Sequence, residues 1–107
     1  MNLFNRTRNK ILSDNVLVLK TLGEKTDGMS VFEKPRPVYF ETRWGIHTFG
    51  VKFSIDVAIL DMYGAIRALK KNMKPNSFFF WNPKYKRVLE LPPAYEIEKD
   101  DVLELSL

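Results

Sequence analysis

Apolar and polar residues alternate most regularly between Trp44 and Leu60, and the rest of the chain arranges itself around that stretch. His47, Phe49, Val51, Phe53, Ile55, Val57 and Ile59 are almost all apolar, whereas Thr48, Lys52, Ser54 and Asp56 are polar. A period of two over that length predicts a half-buried strand, or two strands in line, and not a helix. From Ile55 onward Ala58 and Leu60 join Val57 and Ile59, so this end is expected to be buried on both faces. Asp61-Met62-Tyr63-Gly64 then predicts a turn, with residues 48–60 and 65–69 paired antiparallel across it.

Shorter patterns flank this hairpin. Residues 1–8 alternate weakly and predict an edge strand, followed by a turn before Ile11. Residues 11–22 predict a strand centred on Val16-Leu17-Val18-Leu19, or a strand giving way to a helical turn over 20–24, and the β-branched residues favour the strand. Residues 23–37 have loop composition, with two glycines and two prolines, and Pro35-Arg36-Pro37 extended. Residues 38–42 predict a strand, 70–76 a basic loop turning at Pro75-Asn76, and Val88-Leu89-Glu90-Leu91 a strand broken by Pro92-Pro93. Phe78-Phe79-Phe80-Trp81 cannot place every ring in one core if extended, so either the strand is covered on both sides or two rings face solvent. Leu103, Leu105 and Leu107 share one side of a final strand. Seven or eight short strands and no long amphipathic helix predict a single all-β domain over residues 1–107, a small jelly-roll-like sandwich or barrel of short antiparallel strands. Its expected core is Phe49, Val51, Val57, Ile59, Leu89, Leu91, Leu103 and Leu105.

Composition narrows the chemistry. Cysteine is absent, which excludes disulfides, thiolate metal sites and cysteine nucleophiles, and one histidine makes a zinc site improbable. No cofactor is expected. Residues 1–10 carry Arg6, Arg8, Lys10 and three asparagines, and unbroken aliphatic runs are no longer than 57–60. A cytoplasmic protein with no membrane partner is therefore expected. The net charge of +4 is unevenly spread: residues 51–90 hold eight basic and three acidic side chains, and residues 91–107 hold one and five. That distribution offers one face to anions, unless the acidic tail folds over it or the charges are simply a solvated mixture.

Ile46-His47-Thr48-Phe49, Lys52-Phe53, Ile55-Asp56-Val57, Asp61 and Gly64 resemble the core signature of the conserved family called domain of unknown function 192. Lys74-Pro75, Val88-Leu89-Glu90-Leu91-Pro92 and Asp14-Asn15-Val16 match it further, and Gly28-Met29 answers to its glycine, leucine, methionine motif. The resemblance implies a compact all-β fold, jelly-roll-like or barrel, and no activity. Val51 stands where members usually have methionine, Ser54 where they often have proline, and Pro93-Ala94 where they have a small residue and glycine. Asp100-Asp101 replaces a glycine-aspartate turn, although aspartate adopts a positive φ less readily than glycine.

Three side chains invite a chemical reading. His47 is either a half-buried imidazole bonded to the backbone or Asp56, or a general base or anion contact near neutral pH. With no serine or cysteine nucleophile beside it, the structural role is favoured. Asp56, in a run otherwise apolar, must find donors, either neighbouring amides or Lys52. Glu90, between two leucines, raises the same question, and convergence of Asp56 with Glu90 would give a candidate acid and base for hydrolysis. Separately, Lys70, Lys71, Lys74, Lys84, Lys86 and Arg87 bracket the rings of residues 78–81, including Trp81, and Tyr85. Cations interleaved with rings suit single-stranded nucleic acid or an acidic protein surface, although a plain core strand with solvated ends has the same composition. The expected role is thus a binding or structural module for an anionic partner. The alternatives are a small-molecule site using Trp44 and His47, or a hydrolase using His47 with Asp56 or Glu90.

Overall fold

The computed structural model describes residues 1–21 and 32–107. Gly28-Met29 and most of the loop expected over 23–37 lie outside the described residues, as does residue 22; the strand expected over 11–22 is not continuous, since residues 14–16 and 19–21 belong to no strand. Alternation and turn chemistry produce ten strands among those described: β1 (Asn2–Asn5), β2 (Lys10–Ser13), β3 (Leu17–Val18), β4 (Val38–Glu41), β5 (Gly45–His47), β6 (Ile55–Leu60), β7 (Ile66–Met73), β8 (Phe78–Phe80), β9 (Arg87–Leu91) and β10 (Leu103–Ser106). No helix occurs among the described residues, so none is long and apolar enough to cross a membrane. The fold is the small all-β domain expected, but the described strands close into no barrel. They form three sheets, ordered β10-β1-β2, β3-β4-β9-β6-β7 and β5-β8. Every pairing is antiparallel except β3 with β4.

The five-stranded sheet is the centre, because β6 is apolar on both faces. Val57 and Ile59 join Val38, Phe40 and Val88 on one face, against which Ile46, Phe79, Trp81 and Tyr85 pack from the β5–β8 side. Ala58 and Leu60 join Leu89 and Leu91 on the other, covered by Leu3, Leu103 and Ile97 from the β1 side. Each such fully covered aliphatic side chain favours folding by about 1.5–3 kcal/mol. β1, expected at an edge, is instead the middle strand of its sheet, with Leu3 fully buried.

The turn after β6 is made as its sequence suggests. The Asp61 carboxylate accepts the amides of Tyr63 (2.9 Å) and Ala65 (3.0 Å), and the Arg67 guanidinium at 2.9 Å. Burial works to raise its pKa, but these donors together hold it below the usual aspartate value. Gly64 has φ 90°, and a Cβ there would overlap the Leu103 carbonyl oxygen. Asp100, standing where the resembling family has glycine, takes φ 76° all the same. Its amide donates to Ile66 O (2.9 Å), and Asp101 beside it accepts Asn5 Nδ2 (3.0 Å), Arg8 Nε (2.8 Å) and the Glu98 amide (3.1 Å).

Several expectations are corrected. The arm over 48–60 is not one strand: it breaks after His47, and Gly50 takes φ 82° in the intervening loop. That break shifts the phase, so Phe49 is 45% exposed and Thr48 is buried, while Val51 returns inward. The partner arm runs on past Leu69 to Met73, so Lys70 and Lys71 lie in a strand and not in a loop. Leu105 is half-buried, and the remaining expected core residues are buried as expected.

Candidate binding surface

The two-stranded β5–β8 ribbon follows from its residue pattern. Gly45 pairs with Phe80, Ile46 with Phe79 and His47 with Phe78. Paired residues share a face. Ile46 and Phe79 point to the core, and Phe79 carries Trp81 with it at a 5.7 Å ring separation. Trp81 donates Nε1–H to Tyr85 O (2.8 Å), so this expected site residue is chiefly a packing residue. Phe78 and Phe80 consequently face solvent, 59% and 69% exposed, which decides the question the four-aromatic run posed. Gly45 makes room for the Phe80 ring, since a Cβ there would lie 2.5 Å from Phe80 Cδ1.

The outward rings form a continuous ladder. His47 stacks on Phe49 (centroids 5.1 Å), Phe49 meets Phe78 edge to face (4.9 Å), and Phe78 lies nearly parallel to Phe80 (5.8 Å, 10°). His47 is thus exposed on the ribbon, whereas an inward position or one at the rim of the core is expected from the alternation; its Nδ1 accepts the Phe49 amide at 3.2 Å. Thr48, fully buried between the two, fastens the 74–77 loop to this end of the ribbon. Its hydroxyl donates to Lys74 O (2.7 Å) and accepts the Ser77 amide (2.9 Å), and its own amide donates to Ser77 O (2.9 Å).

Cations stand at both ends of the ladder. At the His47 end the Thr48 clamp places Lys74, exposed and without an acidic partner among the described residues. At the Gly45 end Arg43 Nη1 donates to Pro83 O (3.0 Å) and Lys84 O (3.4 Å), bringing Arg43 and Lys84 together. Lys84 Nζ sits 5.7 Å from the Tyr85 ring centroid, and no carboxylate among the described residues pairs with it or with Arg43. Lys70 likewise has no acidic partner among the described residues; its register with Val57 puts it on the sheet face that the ribbon covers.

The other expected cations are engaged elsewhere. Lys52 pairs with Glu33 and not with Asp56. Lys86 is 3.8 Å from Glu41. Arg87 donates to Tyr39 Oη (3.0 Å) and Asp61 O (3.1 Å) on the far face of the sheet. Lys71 reaches Asp56 at 2.6 Å and Tyr95 O at 3.2 Å, also on that face. Asp56 additionally accepts the Asn72 amide at 2.9 Å, so its donors come from β7.

Asp56 and Glu90 do not converge. Asp56 pairs with Leu91 and Glu90 with Val57, so the two carboxylates point to opposite faces of the sheet. Glu90 is 97% covered among the valines of its face, its Oε1 has no hydrogen-bond partner among the described residues, and burial pushes its pKa up to about 7. His47 lies on the outer face of the ribbon, and the ribbon stands between it and the sheet. Two depressions of about 300 Å³ flank Met62 and Tyr63, and neither is lined by Trp44 or His47. No group of three or more metal-ligating side chains occurs among the described residues. Sequence reasoning missed Arg43 as a partner of Lys84 and Phe49 as a ladder ring; the break at Gly50 is the one signal that could have moved Phe49 outward.

Neither a family model nor a curated protein matches the chain. Two crystal structures do. A candidate transcription regulator from Sinorhizobium meliloti 1021 superposes with TM-score 0.75 at 16% identity, over 96% of this chain and 89% of that one. A protein of unknown function from Novosphingobium aromaticivorans DSM 12444 superposes with TM-score 0.77 at 11% identity, over 97% and 82%. At those identities the likeness is one of fold.

Proposed function

We propose that this domain is a binding module for an anionic partner, engaged through the outer face of the β5–β8 ribbon. The observation that carries this reading is the layout of the ribbon: exposed rings with Lys74 at one end and Arg43 with Lys84 at the other, none of them paired with a carboxylate among the described residues. Cations already paired, as Lys71 is, would have to exchange one anion for another; unpaired ones gain the whole interaction. Hydrolysis by His47 with Asp56 or Glu90 is disfavoured, because no proton can pass among three groups separated by the sheet and the ribbon. Family membership in domain of unknown function 192 is part of the proposal. Its support is that the signature residues hold positions few others could: Thr48 as the clamp, Asp56 on the Asn72 amide, Asp61 in the turn and Gly64 at positive φ.

Heparin, a polyanion without aromatic rings, tests the charge reading. Fluorescence-monitored titration at 20 mM salt is expected to show binding that weakens steeply by 200 mM. Arg43→Ala with Lys74→Ala is expected to weaken it further and to flatten the salt dependence. No binding at low salt, or binding indifferent to salt and to both substitutions, would remove the reading.

A further inference from the structure

We infer that the anion is single-stranded nucleic acid, its bases lying on the exposed faces of Phe78, Phe80 and Phe49 and its phosphates drawn to the cations at the ladder's ends; the inference rests on the anion-binding reading above. The rings discriminate among polyanions. An acidic protein surface offers carboxylates to the cations but nothing flat to cover the phenylalanines. A nucleic-acid strand carries a planar π-face and a negative charge on every unit, and stacking on aromatic side chains is how such strands are held without sequence preference. A duplex satisfies only half of this, because its base faces are hidden in its own stack.

Geometry narrows the mode. Phe78 and Phe80 are nearly parallel with centroids 5.8 Å apart. A base sandwiched between two rings needs roughly twice the 3.4 Å stacking distance, about 6.8 Å. Bases therefore do not intercalate between Phe78 and Phe80 and stack on the ring faces that the ladder leaves open. The rings are already placed for this: Gly45 seats Phe80, and the Thr48 clamp holds the chain on either side of it, where His47 and Phe49 project. Little ordering remains to be done on binding, which favours affinity. A second copy of the chain is a poor occupant of the same face. Both ends of the ladder are positive, so a two-fold pair sets cation against cation in either direction.

The test compares two probes of equal length, a fluorescent twelve-residue oligothymidylate and the corresponding abasic strand, with the wild-type chain, Phe78→Ala/Phe80→Ala and Lys74→Ala. Both rings are largely exposed, so their loss leaves the fold intact, which circular dichroism and the melting temperature check. Oligothymidylate is expected to bind at least tenfold more tightly than the abasic strand, and the double ring variant to lose about tenfold per ring on oligothymidylate alone. Lys74→Ala is expected to lower the salt slope by about 0.7, the value of one single-strand phosphate contact. Equal binding of the two probes, unaffected by the ring substitutions, would overturn the base-stacking inference and leave the anion reading standing. Binding of neither would overturn both. A concentration-dependent dimer in sedimentation that the double ring variant abolishes would assign the ladder to self-association instead.

Discussion

Glu90 offers the sharpest quantitative check on the structure. It occupies the middle of a cross-sheet row, Leu17, Val38, Glu90, Val57 and Lys70, on the face that the ribbon covers. The one cation in that row is two strands away, about 10 Å between backbones. With Oε1 unpartnered, burial alone raises the carboxyl from 4.5 to about 7. At about 1.4 kcal/mol per tenfold in the acid constant, ionised Glu90 costs the folded state about 3 kcal/mol. The folded chain keeps this proton where the unfolded chain has released it. The contribution of Glu90 to stability is thus expected to be most favourable below pH 4.5, to fall as pH rises to about 7, and to level off above. Glu90→Gln removes the ionisation at nearly constant shape. Against the wild type it is expected to be equal within about 1 kcal/mol at pH 4.5. At pH 8 it is expected to melt at least 10 °C higher, since a domain of this size gains about 4–8 °C per kcal/mol. Thermal and urea unfolding of both proteins at pH 4.5, 6 and 8 measures the gap, and the difference cancels every other titrating group. A gap that stays constant, or opens toward acid, would show that the carboxylate finds a donor that the row does not supply.

Three further substitutions probe the frame. Asp101 titrates in the opposite sense: burial works to raise its pKa, but Arg8, Asn5 and the Glu98 amide hold it below the ordinary value. Asp101→Asn is expected to cost about 1–3 kcal/mol near neutral pH, and the deficit should shrink as pH falls below the ordinary aspartate value, as urea melts would record. Gly64→Ala forces a Cβ against the Leu103 carbonyl at positive φ and is expected to destabilise by about 1–3 kcal/mol or more, read as a lower denaturation midpoint. Thr48→Val keeps the volume but strips the hydroxyl from Lys74 O and the Ser77 amide; it should cost about 2 kcal/mol and speed amide exchange at Ser77, leaving β6 and β9 protected.

The period of two told the truth wherever the chain stayed extended. The apolar run of β6 announced burial on both faces, and Asp61 to Gly64 announced its turn, because both signals are local. Phe49 was misplaced for a local reason too: a left-handed Gly50 ends the alternation, and counting through it carries the phase onto the wrong side. Other features depend on contacts remote in sequence. Asp56 meets Lys71 and Asn72 only because β6 and β7 pair in a shifted register. The parallel pairing of β3 with β4 and the central place of β1 require the chain's return path, which composition does not encode. The aromatic run posed its question correctly from sequence, and the pairing of Phe79 with Ile46 answered it.

β7 is the outer strand of the central sheet, and it carries two irregularities. Its register slips once opposite Ile55 to Val57 and again opposite Ile59 to Leu60, and at the first slip Asn72 takes φ 53° with its amide tied to Asp56. Bulges and lysines on an exposed edge are the means by which sheets refuse to pair with one another in solution. Lys70 and Lys71 therefore protect solubility whatever else they do, and Asp56 is the buckle that keeps the edge bent. Stripping both lysines, or Asp56, would straighten and neutralise an eight-residue edge and invite aggregation. A loss of ligand binding in such a variant would then report on clumping and not on contact, which is why Lys74, just past the end of β7, and Arg43 are the residues on which charge should be tested.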